Sequence, residues 1–168
     1  MGETAAKFSL TPKKLAAPLL IAVVVALFDQ WSKGAVVRAF GLFEGKAVIP
    51  GFFNVVHVHN TGVAFSMFSG MDPRWSVPAL VFATLLAVAG VVGYLGYLPA
   101  RGATQAALGL ILGGAVGNLA DRARLGYVVD FLDVYWRRFH WPAFNVADIA
   151  ISAGVILLAI ELLLEPKH

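Results

Sequence analysis

Cysteine is absent from this 168-residue chain, which excludes disulfides and thiolate metal sites. Charge is scarce too. Asp, Glu, Lys and Arg make up 14% of the residues, against about 25% in an ordinary soluble domain. With 59% hydrophobic residues and a mean hydropathy of +0.77, the bilayer is the expected solvent. The formal charge of +3 is small and unclustered, so no nucleic-acid partner is expected and membrane lipid head groups are the expected anionic neighbours. There is no Gly-rich phosphate loop, no Ser-His-Asp arrangement and no HExxH motif. Neither a cofactor nor a metal is expected. One membrane domain, residues 1–168, accounts for the length.

Met1 to Lys14 is polar. Leu15 to Phe28 has the apolar core of a secretory signal, but Asp29-Gln30-Trp31-Ser32-Lys33 follows it instead of a small-residue cleavage site. One long retained helix is expected, reaching Phe40 with a polar turn in its outer half. Gly41 to Met71 breaks the helical pattern: Gly41, Gly45, Pro50, Gly51, Gly62 and Gly70 punctuate β-prone pieces such as Phe52 to Val58. A small cap of strands is expected over 41–71. Trp75 to Ala100 carries no charge and is long enough to cross a hydrocarbon core of about 30 Å. Ala103 to Ala120 and Phe144 to Leu164 supply two more spans, joined by a loop over 123–143. The expected fold is mainly α: a polytopic membrane protein of four transmembrane helices, with a β cap between the first and second.

Four spans put both termini on one side and all four tryptophans (Trp31, Trp75, Trp136, Trp141) on the other, as an interfacial belt requires. Counting basic residues does not orient the chain. Lys7, Lys13, Lys14, Arg101 and Lys167 lie with the termini and the remaining Lys and Arg lie opposite.

In the third span Gly109, Gly113 and Gly117 recur every four residues, a smooth stripe on which another helix can pack. Gly114, Asn118 and Arg122 form the adjacent stripe, which presents polar groups. Asp29 and Lys33 have the i, i+4 spacing of a helical ion pair, which is expected to brace the first helix and the cap. His57 and His59 alternate with Val56 and Val58 on what is expected to be an exposed strand face.

Two acids stand out by their surroundings. Asp130 lies among β-branched and aromatic neighbours, and Asp148 sits about one turn inside an apolar run continuing to Ile160. A carboxylate so placed is costly unless something uses or pairs it. Two carboxylates about 4 Å apart at an effective dielectric near 20 repel by about 4 kcal/mol. At roughly 1.36 kcal/mol per pKa unit, that keeps one of them protonated near neutral pH. Such a pair can take a proton from water and donate one to a carbonyl oxygen. Asp121 and Asp133 are equally available partners for Asp148 on spacing alone. Asn145, three residues before Asp148, is expected to share its helical face. A proton-coupled transporter and a non-enzymatic envelope scaffold are the competing classes.

Four blocks decide between them. Asp29-Gln30-Trp31-Ser32-Lys33, Asn60-Thr61-Gly62-Val63-Ala64-Phe65-Ser66, Gly113 to Arg122, and Val129-Asp130-Phe131 with Phe144-Asn145-Val146-Ala147-Asp148 resemble the lipoprotein signal peptidase (signal peptidase II) family, in that family's order. Val63 and His59 depart from it, the family more often having Ala and Arg there. The resemblance implies an inner-membrane aspartic peptidase of bacteria, and a monomer is expected. Its substrates are prolipoproteins carrying a diacylglyceryl-cysteine, and it cuts before that cysteine. It implies cytoplasmic termini, with an extracytoplasmic cap and an active site towards the periplasm or outer surface. It places the catalytic pair at Asp130 and Asp148. Asp29, Lys33, Asn60, Gly114, Asn118, Arg122, Asn145 and Ala147 are implied as supporting or substrate-contacting residues. Phe52 to Val58 and Asn60 to Phe65 are expected to offer backbone groups to a substrate held extended.

Overall fold

The computed structural model describes residues 8–62, 73–97 and 102–164. Its elements run α1 (Pro12–Ala39), β1 (Gly45–Ile49), β2 (Phe53–Asn60), α2 (Pro73–Tyr97), α3 (Gly102–Leu125), β3 (Val128–Trp136), β4 (Phe139–His140) and α4 (Val146–Leu164). Val63 to Ser66 of the second motif block lie outside the described residues.

Each element starts and stops for local reasons. Thr11 precedes α1 in extended conformation and Pro12 occupies its first turn, where a missing N–H is harmless. Gly126 ends α3 at φ 79° with its N–H bonded to the Arg122 carbonyl, a left-handed cap that glycine adopts freely. Pro50-Gly51 joins β1 to β2 with Gly51 at φ 83° and the Phe52 N–H on the Ile49 carbonyl at 3.0 Å. That is the type II turn expected of Pro followed by Gly.

The helices pack around α3, which meets α1 and α4 most extensively. Glycine makes this possible. A Cβ at Gly109 would stand 2.8 Å from the Pro18 carbonyl oxygen, and one at Gly113 would stand 2.8 Å from that of Ala22. The expected smooth stripe therefore faces α1. Gly114, expected on a polar face, instead seats the backbone of α4: a Cβ there would collide with the Ala147 carbonyl oxygen. Gly114→Ala should force α3 and α4 apart and lower stability by about 1–3 kcal/mol. Thermal unfolding in detergent checks this, with Gly90→Ala as the comparison, since nothing lies within 4 Å of a Cβ there.

Three helices, α1, α2 and α3, are long and apolar enough to cross a membrane. The fourth, α4, has 19 residues and leaves Ile149, Val155, Ile156 and Leu163 exposed.

The sheet departs from expectation. It has four antiparallel strands in the order β1-β2-β3-β4, so its second half comes from residues 123–143, expected to be a loop. Val128–Trp136 is apolar, β-branched and aromatic, and it finds β2 as partner across the chain. This also makes β2 a central strand. Its backbone groups are taken by β1 and β3, so Phe52 to Val58 cannot receive an extended peptide as expected. Asp133 is buried in the sheet, accepting from Asn54 at 2.8 Å and pairing with His140 at 2.8 Å.

Candidate active site

The site is built on the first turn of α4. Asn145 lies just before that helix, not on its face as the spacing suggested. The Asp148 N–H donates to Asn145 Oδ1 at 3.0 Å, and the Asn145 N–H donates back to Asp148 Oδ2 at 3.3 Å. This is a reciprocal capping box, which satisfies two amide groups at the helix start. The other end of the Asn145 amide donates to Asp130 Oδ1 at 2.7 Å. One fully buried asparagine thus touches both acids.

β3 carries Asp130, 2% exposed, and Asn60 at the end of β2 donates to its Oδ2 at 2.8 Å. Burial pushes the Asp130 carboxyl up to about 7, and the charge of Asp148 adds to that. The bonds from Asn60 and Asn145 and the charge of Lys33 act in the opposite direction. Asp148 accepts from Asn118 Nδ2 at 2.8 Å. The rival acids are otherwise engaged: Asp133 within the sheet, Asp121 with Lys33 at 2.9 Å and the Val129 N–H at 3.2 Å.

Behind the two acids lies a buried polar lattice. Lys33 Nζ meets Asp29 Oδ2 at 2.8 Å, Asp121 Oδ2 at 2.9 Å and Asn118 Oδ1 at 3.0 Å, filling its three donor positions. Asp29 Oδ1 accepts the Ala147 N–H at 2.9 Å. The Asp29–Lys33 pair therefore braces α1 to α3 and to the start of α4, whereas bracing of the cap was expected. The sequence offers Asp121 only as a possible partner for Asp148, and it does not single out Gln30, which donates to Asp121 at 2.8 Å. A signal existed, because Asp121 continues the Gly109, Gly113, Gly117 stripe by one more step of four and so had to face α1.

A cavity of about 830 Å³ opens in front of the acids. Asn60, Asn118, Arg122, Asp130 and Asp148 line its polar end, while α2, α3 and α4 contribute apolar walls that include Leu80, Ile111 and Ile156. Arg122 also donates to the Gly62 carbonyl at 3.1 Å, linking α3 to the exit of β2. Asp29, Lys33, Gly114, Asn145 and Ala147 stand behind the lining. Among the described residues no group of three or more His, Cys, Asp or Glu side chains is placed to hold a metal.

His57 is buried, where an exposed strand face was expected, and its Nδ1 lies 3.0 Å from the Phe40 carbonyl. His59 is half-buried and stacks on Tyr127 at 3.7 Å. Burial, with His57 alongside, holds the His59 imidazole below its ordinary pKa.

The signal peptidase (SPase) II family model matches residues 21–164. A lipoprotein signal peptidase of Syntrophotalea carbinolica is 48% identical over 141 residues, covering 83% of this chain and 86% of that protein. Another, from Paraburkholderia phytofirmans, is 43% identical over 166 residues, covering 96% and 92%. Two bacterial membrane enzymes solved by the in meso method superimpose with TM-scores of 0.77 and 0.79 at 30% and 28% identity. Those alignments cover 99% of both chains in the first case, and 98% of this chain and 100% of the other in the second. With its family match, full-length relatives and shared fold, the chain belongs to the signal peptidase II family.

Proposed function

We propose that the chain is an intramembrane aspartic endopeptidase that removes the signal peptide from diacylglyceryl-modified bacterial prolipoproteins. It cuts on the N-terminal side of the lipidated cysteine. One observation carries this reading: two carboxyls tied to a single asparagine, one through its side-chain amide and one through its backbone N–H, stand at the polar end of an otherwise apolar cavity. The apolar walls suit acyl chains and a signal-peptide stretch, and the polar end suits a peptide bond.

In the reaction the pair holds one proton, which belongs to neither acid alone. The ionised carboxylate takes a proton from water as the water oxygen attacks the scissile carbonyl carbon. The protonated partner gives its proton to the carbonyl oxygen. Collapse of the resulting diol breaks the C–N bond, and a carboxyl proton passes to the leaving amine. Asn145 and Asn118 hold the two side chains in place, and Asn60 fixes the outer oxygen of Asp130.

The setting follows from the same reading. All four helices span the bacterial inner membrane as one monomeric domain, both termini are cytoplasmic, and the sheet and site face the periplasm or outer surface. Trp136, Arg137, Arg138 and Phe139, all exposed at the β3–β4 hairpin, rest in the head-group layer.

Purified protein in lipid, given one prolipoprotein peptide with and without the diacylglyceryl group, tests the proposal. Mass spectrometry should find a single cut before the lipidated cysteine and little turnover of the unlipidated peptide. Equal cleavage of both, or of neither, would remove it. Asn60→Ala should fold and slow turnover about 10- to 100-fold through loss of a bond to a charged group. The same change withdraws an interaction that lowers the Asp130 pKa, so the alkaline limb of the rate profile should move upwards.

A further inference from the structure

The pair His57 and His59 has no part in the chemistry above, and both rings are fixed by contacts from elsewhere in the fold. His57 Nδ1 is held on the Phe40 carbonyl at 3.0 Å. His59 lies flat on Tyr127, with ring centres 3.7 Å apart and planes 17° from parallel. The His57 contact settles a tautomer. A carbonyl only accepts, so Nδ1 carries the proton and Nε2 of His57 presents a lone pair. That lone pair faces Nε2 of His59 at 3.2 Å, with ring centres 5.0 Å apart.

Those two distances fit one arrangement well. Nitrogens bound to one tetrahedral zinc at about 2.0–2.1 Å stand about 3.3 Å apart, and adding the ring radius puts the ring centres about 5 Å apart. Two rings meeting end-on through a straight N–H···N bond of this length would hold their centres about 5.5 Å apart. The shorter separation observed means that the two rings meet at an angle, as two imidazoles do around one ion. The carbonyl on His57 Nδ1 is the outer partner that metal-bound imidazoles commonly have.

The geometry points to a two-histidine site for a borderline divalent ion of the zinc class, formed by Nε2 of His57 and Nε2 of His59. Imidazole pairs select such ions over magnesium or calcium. No third His, Cys, Asp or Glu joins the pair among the described residues, so water completes the coordination. Binding requires His59 to carry its proton on Nδ1 instead of Nε2, with no proton lost from the protein. An occupied site would tie β2 to itself one residue before Asn60, the residue that holds Asp130. The site stands on residues outside the catalytic cavity and does not depend on the proposed substrate.

Four histidines in the chain make the test direct. Full-length protein labelled with nitrogen-15 at histidine, without an affinity tag, is titrated with Zn2+ alone in detergent. The expected result is one bound ion, with the Nε2 resonances of His57 and His59 shifted and those of His140 and His168 unmoved. His59→Gln should weaken binding about tenfold or more, while His140→Gln leaves it unchanged. His57→Gln removes a buried contact and can disturb folding, so His59→Gln is the deciding variant, with its unfolding midpoint measured alongside. Equal Zn2+ affinity in His59→Gln, shifts at His140 or His168 instead, or no binding into the millimolar range would each overturn the assignment.

Discussion

Asp130→Asn and Asp148→Asn should each abolish measurable cleavage, lowering turnover by roughly 10²- to 10⁴-fold or beyond, while both proteins stay folded. Asn is close in size to Asp, and its oxygen keeps one of the two donors at each site (Asn60 or Asn145 at Asp130, Asn118 or the Asn145 N–H at Asp148), while its NH2 group faces the other. What vanishes is the exchangeable carboxyl proton. Because the pair acts as a unit, the double variant should be scarcely worse than either single one. Stability should respond differently at the two ends of the pH range. Burial raises the Asp130 pKa from 3.8 to about 7, so the folded state prefers its neutral form. The stability that this contributes is complete below 3.8 and is lost as pH rises through about 7. Asp130→Asn stays neutral throughout and should flatten that fall. Turnover within a few-fold of wild type in either single variant would show that the reaction does not pass through these carboxyls.

Lys33→Met should be the most damaging change away from the acids. Its ammonium is 4% exposed and faces two carboxylates, Asp29 and Asp121, whose side chains are 0% and 4% exposed. Methionine fills the space and leaves two buried charges without a counter-ion, which costs about 3–5 kcal/mol when one partner of a buried pair is removed. The loss spreads to function because Asp29 also holds the Ala147 N–H at the start of α4. That turn carries Asp148. Denaturant titration in mixed micelles should show the drop, and Lys33→Met with Asp121→Asn should recover part of it, since the two sites share one contact. A Lys33→Met protein as stable as wild type would mean that water reaches the lattice and screens it.

Much of this was legible from local pattern. Asp130 and Asp148 declared themselves by apolar neighbours, the Gly109, Gly113, Gly117 stripe by its interval, and the turn at Pro50-Gly51 by its residue types. What stayed hidden depends on pairing between distant segments. The β-prone run at Val128–Trp136 has no visible partner in the sequence and reads there as a loop, whereas the fold supplies β2 as its partner. The same pairing places Asp130 beside Asn60 and sends Asp133 to Asn54 and His140. Spacing along the chain treats these two acids alike. Gly114 misled for a related reason: a glycine beside polar residues on one helix face can serve the site or seat a neighbouring backbone, and only the position of α4 decides. The burial of His57 is not legible from the sequence because alternation reports which face a strand residue occupies, not what covers that face.

The account rests on two acids holding one proton, and the pH dependence of kcat/KM on a diacylated peptide tests it most directly. A bell is predicted, its alkaline limb falling with an apparent pKa of about 7 as the last shared proton leaves the pair. A rate that stays level or climbs from about pH 7 to about pH 9 would contradict it, because a doubly ionised pair has no proton to give the scissile carbonyl.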